Sequence, residues 1–186
     1  DYLSGRLPNK LCEQITAASA RGELVALPRT IQTEVNCWLE DLQRNKRQDL
    51  EKSIAILVGA GYSVSPTKVS DYKMIDIFSL MQACSSSVCL WEPTLLDYQN
   101  AEQRTSGRLP PYPKNKEGEE MRDRVIWCQI LRMSSGGDNP IIIVSGDTIF
   151  KNGADSTEGL DAKILSISDE NELDQYLGKR PPHIDA

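Results

Sequence analysis

The stretch PIIIVSGD, residues 140–147, decides the fold that the sequence predicts. Four β-branched apolar residues in a row, Ile141–Val144, are typical of a central parallel strand that is covered on both faces. Open parallel sheets bind ligands beyond the carboxyl ends of their strands, and Asp147 stands at that position. The stretch therefore predicts a parallel sheet with an acidic residue at its ligand-binding edge.

Helices and strands alternate on both sides of this stretch. Strands are expected at 23–28, 141–144 and 163–167, and helices at 8–21, 30–42, 47–58, 70–83, 118–133 and 170–177. Two further segments are not decided by their patterns: residues 88–91 could form a short edge strand, and residues 95–103 could form a helix. The alternation predicts an α/β fold, a three-layer sandwich with a mostly parallel central sheet of about four or five strands and helices on both faces.

Length and composition fit one globular domain. With 186 residues and 39% hydrophobic content, the chain is expected to form a single domain over 1–178, followed by a tail at 179–186. No apolar stretch is long enough to span a membrane and no secretory signal is present at the N-terminus, so no membrane partner is expected. The five cysteines are an odd, scattered set without a CxxC pair, which favours a reducing cytoplasm over a disulfide scaffold.

The charge balance bears on the class of partner. A formal net charge of -6 argues against a protein that holds nucleic acid mainly through a basic surface. It is compatible with a nuclease whose carboxylates gather around cations, because bound metal ions reverse the local sign. The simpler interpretation, that acidic residues keep the protein soluble, fits the composition equally well.

Three acidic residues are expected at the carboxyl edge of the sheet. Glu34 opens the helix after the first strand, Asp147 follows 141–144, and Asp123 lies near the start of the helix before that strand. Converging carboxylates repel one another unless divalent cations neutralise them, and oxygen-only ligands suit Mg²⁺ or Mn²⁺. The single histidine, His183, lies in the tail, which removes Ser–His and Cys–His hydrolase mechanisms and leaves metal-assisted hydrolysis.

Two segments carry a family resemblance. LPPYPKNKEGEEMRDRVIWCQIL (109–131) followed by IIIVSGDTIFK (141–151) resembles the C-terminal half of PIN-like domains, and LPRTIQTEV (27–35) resembles the junction that bears their glutamate. In that family a loop with proline and lysine leads into an Asp-x-x-Ile-Trp helix, and an apolar strand ending in Asp follows. The resemblance implies a PIN-like metal-dependent nuclease, most simply an endoribonuclease on single-stranded RNA, of the kind found among toxins and defence effectors.

The resemblance also implies roles for individual residues. Asp123 matches the helix aspartate, Asp147 the strand-end aspartate and Glu34 the glutamate, which makes all three metal ligands and water activators. Glu120, three residues before Asp123, is a reserve ligand. PIN-like domains open with an apolar strand bearing a further metal-binding Asp; here either such a strand lies upstream of the sequence, or Asp1 is its remnant, or the site is incomplete, and we favour the first.

Basic residues precede the Asp123 helix. Lys114 and Lys116, with Arg108 nearby, are candidates for contacts with a substrate phosphate, although loop cations are often simply solvated. Such a nuclease is expected to bind RNA in preference to DNA, to be restrained by a protein inhibitor or other regulatory partner, and to be free to form oligomers.

Each candidate acid also has an ordinary structural interpretation. Asp147 could cap the turn after a strand, Asp123 could pair with a neighbouring arginine on its helix, and Glu34 could be a helix-surface acid. A second hypothesis is a catalytically degenerate PIN-like scaffold or protein-interaction module. A third, a phosphatase-like domain with Asp147 as nucleophile, is weakened because Ile149 stands where a second Asp would be needed.

Overall fold

The computed structural model describes residues 6–64, 76–111, 121–136 and 139–179. Within these ranges the chain forms eight helices, two two-stranded parallel sheets, and 66% helix. The elements are, in order, α1 (Asn9–Ala20), β1 (Val25–Pro28), α2 (Arg29–Gly59), α3 (Ile77–Cys84), β2 (Val88–Trp91), α4 (Leu95–Gly107), α5 (Met121–Ser134), β3 (Ile141–Val144), α6 (Thr148–Ala154), α7 (Thr157–Asp161), β4 (Ile164–Ile167) and α8 (Glu170–Lys179).

The predicted three-layer sandwich is wrong. Strands form where the apolar runs predict them, but β1 pairs only with β2 and β3 only with β4, so no central sheet exists among the described residues. A β-branched run indicates a strand without fixing how many strands flank it. In β3, Val144 is 53% exposed, so this strand is not covered along its whole length as a central strand would be.

The chain divides into two compact units. The first comprises residues 1–19, 23–27 and 31–90, and the second comprises 20–22, 28–30 and 91–186. No described helix combines the length and the apolar content that crossing a bilayer requires.

An apolar cluster forms the core of the first unit. Its buried members come from the segment before α1, from α1, β1, the first half of α2, α3 and β2: Leu7, Ile15, Leu27, Leu39, Ile77, Met81 and Val88. A disulfide between Cys12 and Cys84 ties α1 to the end of α3 across a sequence separation of 72 residues, with the Cα atoms 5.5 Å apart. The expectation of unpaired thiols therefore holds for Cys37, Cys89 and Cys128 but fails for these two.

Helix α2 joins two segments that the sequence presents as separate helices. It runs unbroken for 31 residues because the polar stretch between the two apolar segments contains neither glycine nor proline. Only Gln32 and Leu39 are buried, and both lie in its first half. Beyond residue 44 the helix is exposed on all sides, apart from the half-buried Ile54.

The second unit is built around α5. Every residue from Asp123 to Ile130 is buried, and Val125 and Cys128 pack with Ala101 of α4. Strands β3 and β4 run parallel in register, with Ile141 opposite Ile164. The segment that connects them forms the short helices α6 and α7, which the sequence analysis did not predict.

Two glycines set the packing of this connection. A Cβ atom at Gly153 would lie 2.8 Å from the Trp127 ring of α5, and one at Gly159 would lie 2.3 Å from the Gly153 carbonyl oxygen. Such distances are shorter than carbon contacts allow, so α6 approaches α5, and α7 approaches α6, only because both residues lack a side chain.

Candidate functional site

Asp147 lies at the carboxyl end of β3, where the sequence predicted it. The Ser145 N–H donates to the Ile167 carbonyl oxygen of β4 (2.9 Å), which holds the turn after β3 against the end of β4. Asp147 is the exposed N-cap of α6, and its Oδ1 accepts the Ile149 N–H at 3.0 Å. The capping role occupies Oδ1; Oδ2 has no hydrogen bond to a described residue and is able to bind a cation.

A second aspartate occupies the equivalent turn after β4. Asp169 accepts the N–H groups of Asn171 and Glu172 at 2.9 Å each, at the start of α8. Since β3 and β4 are parallel and in register, Asp147 and Asp169 belong to the same carboxyl edge. Asp169 was not predicted as a site residue, although the sequence Ile-Ser-Asp after a short apolar strand repeats the pattern that indicated Asp147.

Asp123 lies in the first turn of α5 and is 4% exposed. Its Oδ1 is 3.4 Å from the Nε atom of Arg122, so the ordinary interpretation, an ion pair on the helix, is present in the structure. At this length the contact with a half-exposed guanidinium is a weak hydrogen bond. The carboxylate is thus held out of water at the start of α5, next to the Arg122 guanidinium.

Arg124, which follows Asp123, is a residue that sequence reasoning missed. It is 4% exposed, and its Nε and Nη1 atoms have no hydrogen-bond partner among the described residues. Leaving the donors of a buried guanidinium unpaired is costly, and an anion is the partner that satisfies several of them at once.

Glu34 is an exposed residue of α2 in the first unit, whereas Asp123 and Asp147 belong to the second. In the ranges that the structure describes, no three Asp, Glu, His or Cys side chains form a group able to hold a metal ion. The three-acid site stays a prediction.

The remaining predicted site residues fall mostly outside the described residues: this applies to Asp1, Lys114, Lys116 and Glu120. Arg108 is described. It is the exposed C-cap of α4, with a left-handed backbone at φ 50°, and its N–H donates to the Thr105 carbonyl oxygen. Contact of its side chain with a substrate phosphate stays a prediction.

A buried ion pair joins α4 and α5. Asp97 is fully buried, forms a capping box with Thr94, and accepts the Nε–H of Arg132 at 3.0 Å. Burial raises the pKa of the Asp97 carboxyl, but the hydrogen bonds from Arg132 and Thr94 outweigh it and lower the pKa below its usual range. Sequence patterns did not reveal this pair because 35 residues separate its members.

A cavity of about 460 Å³ lies beside this pair, within the second unit. Residues of α4 and α5 form much of its wall, together with Leu109 and Glu158. Cys128 lines the cavity, and burial raises the pKa of this thiol, so the thiol stays protonated and is a poor nucleophile. The cavity therefore offers binding rather than thiol chemistry.

Comparisons with protein-family models, with curated proteins and with solved structures give no significant match to this chain.

Proposed function

We propose that the chain is a metal-dependent phosphodiesterase, an endoribonuclease that cuts single-stranded RNA, with Asp123 and Asp147 of the second unit as cation ligands. The observation that carries the proposal is the position of Asp147, exposed at the carboxyl edge of a parallel strand pair with one carboxylate oxygen uncommitted. That edge is where parallel sheets bind ligands.

The donor set fits Mg²⁺ or Mn²⁺, because carboxylate oxygens are the ligands that these hard cations prefer. A cation held there lowers the pKa of a bound water and offsets charge on the phosphate. The part of the chain's own residues is to position that chemistry: Asp147 is fixed by its cap to α6, and Asp123 by the rigid, buried first turn of α5.

Arg124 supports a phosphate-containing substrate. Its unpaired Nε and Nη1 donors follow directly after Asp123 in the same helical turn. Both atoms are buried, so a substrate phosphate would reach them only by displacing the residues that cover them; it would then be held through two parallel hydrogen bonds. Arg108 and, by the family resemblance, Lys114 and Lys116 would hold neighbouring phosphates of the same strand.

The test is cleavage of end-labelled single-stranded RNA, and of DNA with the same sequence, in the presence of Mn²⁺. Asp147→Asn is the decisive variant because asparagine caps a helix as well as aspartate does, so α6 stays intact while the negative charge is lost. We expect cleavage to fall by at least about 100-fold, the order expected for losing a ligand of the catalytic cation. Asp161→Asn, an exposed acid at the end of α7, is the matched control and should cleave like wild type.

Three results would count against the proposal. They are equal activity of Asp147→Asn and wild type, cleavage that persists in a chelator, and no cleavage of either nucleic acid by wild type with Mn²⁺ or Mg²⁺. Cleavage of DNA but not RNA would support phosphodiesterase activity and would show that RNA is not the substrate.

A second candidate, a protein-interaction module without catalysis, is favoured by the second half of α2. Leu50, Ile54 and Leu57 recur there at helical spacing, and Leu50 and Leu57 are 42% and 43% exposed. An apolar stripe on an otherwise exposed helix is suited to a partner helix. Sedimentation of wild type against Leu57→Asp tests the simplest form, self-association, and a wild type that stays monomeric argues against it.

A cytoplasmic location is part of the proposal, as is a protein partner that restrains the nuclease. The scattered cysteines favour a reducing compartment, whereas the Cys12–Cys84 disulfide argues the other way, because disulfides are rare there. Thiol titration of protein isolated under alkylating conditions decides between them.

A further inference from the structure

The cavity between α4 and α5 has the dimensions of a ligand site. It is a groove open to solvent, and its volume of about 460 Å³ lies within the range of clefts that bind small organic molecules. Leu96, Leu109 and Leu131 line it, and the first two are 55% and 47% exposed at its mouth. An occupant therefore needs an apolar body or apolar flat faces.

The arginines in its wall do not make it an anion site. Arg104 donates from Nη1 to the Pro110 carbonyl oxygen at 2.6 Å and pairs through Nη2 with Glu158. Arg132 donates from Nε to Asp97 and from Nη2 to the Glu92 carbonyl oxygen. An anion would have to displace carboxylates already in place, whereas the guanidinium groups remain available for stacking because stacking uses no N–H donor.

Two side-chain amides supply the polar contacts. Asn100 and Gln103 line the cavity from α4, three residues apart and hence on one face of the helix. Neither makes a hydrogen bond with a described residue. Each amide offers both donors and an acceptor, so together they match a neutral ligand edge that presents donors and acceptors side by side.

We propose that this cavity binds an unpaired nucleobase. A base is neutral and planar, has two faces that stack on leucine side chains and guanidinium planes, and has an edge of alternating donors and acceptors for the two amides. Proteins that bind single-stranded RNA commonly hold extruded bases in this way. The inference rests on the proposed function only for the source of the base, a nucleotide of the RNA substrate, since the cavity itself is independent of the acidic edge.

The test is fluorescence of 2-aminopurine, which is quenched on stacking, measured in EDTA so that cleavage plays no part. The probes are free 2-aminopurine riboside and a short single-stranded RNA with one 2-aminopurine. We expect saturable quenching with wild type and about fivefold weaker binding with Gln103→Leu, the effect of one lost hydrogen bond between neutral groups. Gln175→Leu, at an exposed glutamine on α8 of the same unit, should match wild type.

The two probes distinguish the source of the base. Quenching of both supports a site that accepts free nucleosides, and quenching of the RNA alone supports a site for a base within a strand. Ribose 5-phosphate should not compete; competition as strong as that of uridine monophosphate would overturn the proposal in favour of an anion site. Absence of quenching, or equal affinity of Gln103→Leu and wild type, would also overturn it. Quenching without any RNA cleavage would leave this inference standing and remove the proposed nuclease.

Discussion

The two units differ in what their interiors contain. In the first, seven buried apolar residues form one cluster and a disulfide links its helices. In the second, three polar residues of α5 are buried, Asp123, Arg124 and Gln129, and Asp97 of α4 is buried as well. Side-chain atoms of Arg124 and Gln129 have no hydrogen-bond partner among the described residues. Unpaired buried polar groups cost stability, and most of those among the described residues belong to the second unit, whereas Gln43 Nε2 is in the first.

The largest expected effect concerns the covalent link in the first unit. The double change Cys12→Ser and Cys84→Ser should lower the free energy of unfolding by about 4 kcal/mol, because a loop of this length is otherwise constrained in the unfolded chain. Urea denaturation followed by tryptophan fluorescence measures it. Cys37→Ser, at an exposed free cysteine, is the control and should change stability by less than about 0.5 kcal/mol. Equal midpoints for the double variant and the control would mean that the apolar cluster holds this unit without the disulfide.

The next effect concerns the buried pair of the second unit. Arg132→Leu leaves the Asp97 carboxylate buried without its cation and should cost about 3 kcal/mol. Adding Asp97→Asn to that variant should restore a large part of the loss, because the uncompensated charge is removed. Arg47→Leu, which breaks the exposed pair with Glu51, should cost less than about 1 kcal/mol. A double variant as unstable as Arg132→Leu would contradict the comparison.

The smallest effect is a pH dependence of the stability of the first unit. Asp76 caps α3 in the first unit and accepts hydrogen bonds from Gln32 (2.7 Å) and Asn36 (3.0 Å) of α2. Partial burial raises the pKa of this carboxyl, but hydrogen bonds from Asn36, Ser79 and Gln32 outweigh it and lower the pKa well below its usual range. Asp76→Ala should therefore cost about 2 kcal/mol at neutral pH.

The sign of the pH dependence follows from the lowered pKa. The stability that Asp76 contributes is present in full above the pKa of the unfolded chain, about 4, and is lost as the pH falls through the lower pKa of the folded protein. The difference in unfolding free energy between wild type and Asp76→Ala should shrink over that range. Ser53→Ala, at an exposed residue of α2 that does not titrate, should show no such trend, and a constant difference for Asp76→Ala would contradict the assignment.

Local sequence signals predicted most elements but not their assembly. Strand β3 lies at the four residues that its β-branched run indicated, and α1 ends before Gly22 as expected. The pairing of β3 depends on which other strand reaches it, a long-range choice that an apolar run leaves open. Helices α6 and α7 were missed because the segment 148–161 has few apolar residues; the caps Asp147 and Ser156 and the close packing at Gly153 stabilise them instead.

In the candidate site, likewise, the sequence predicted the feature that depends on local order and missed those that depend on tertiary packing. The position of Asp147 follows from local order, since an acid after an apolar strand lies at the end of that strand in any parallel pair. Arg124 was not foreseen, because burial of one residue in a helical turn depends on what packs around it. The cavity was not foreseen either, because its walls combine residues from 96 to 158 that meet only in the folded chain.

The glycine at position 153 has a consequence for the acidic edge at the other end of α6. That short helix is fixed at its start by the Asp147 cap and near its end by the contact between Gly153 and the Trp127 ring. A methyl group at position 153 would collide with the Trp127 ring, so α6 would have to shift, and the Asp147 carboxylate that caps this helix would shift with it. Gly153 has no functional group, yet its packing helps to set the position of the Asp147 carboxylate.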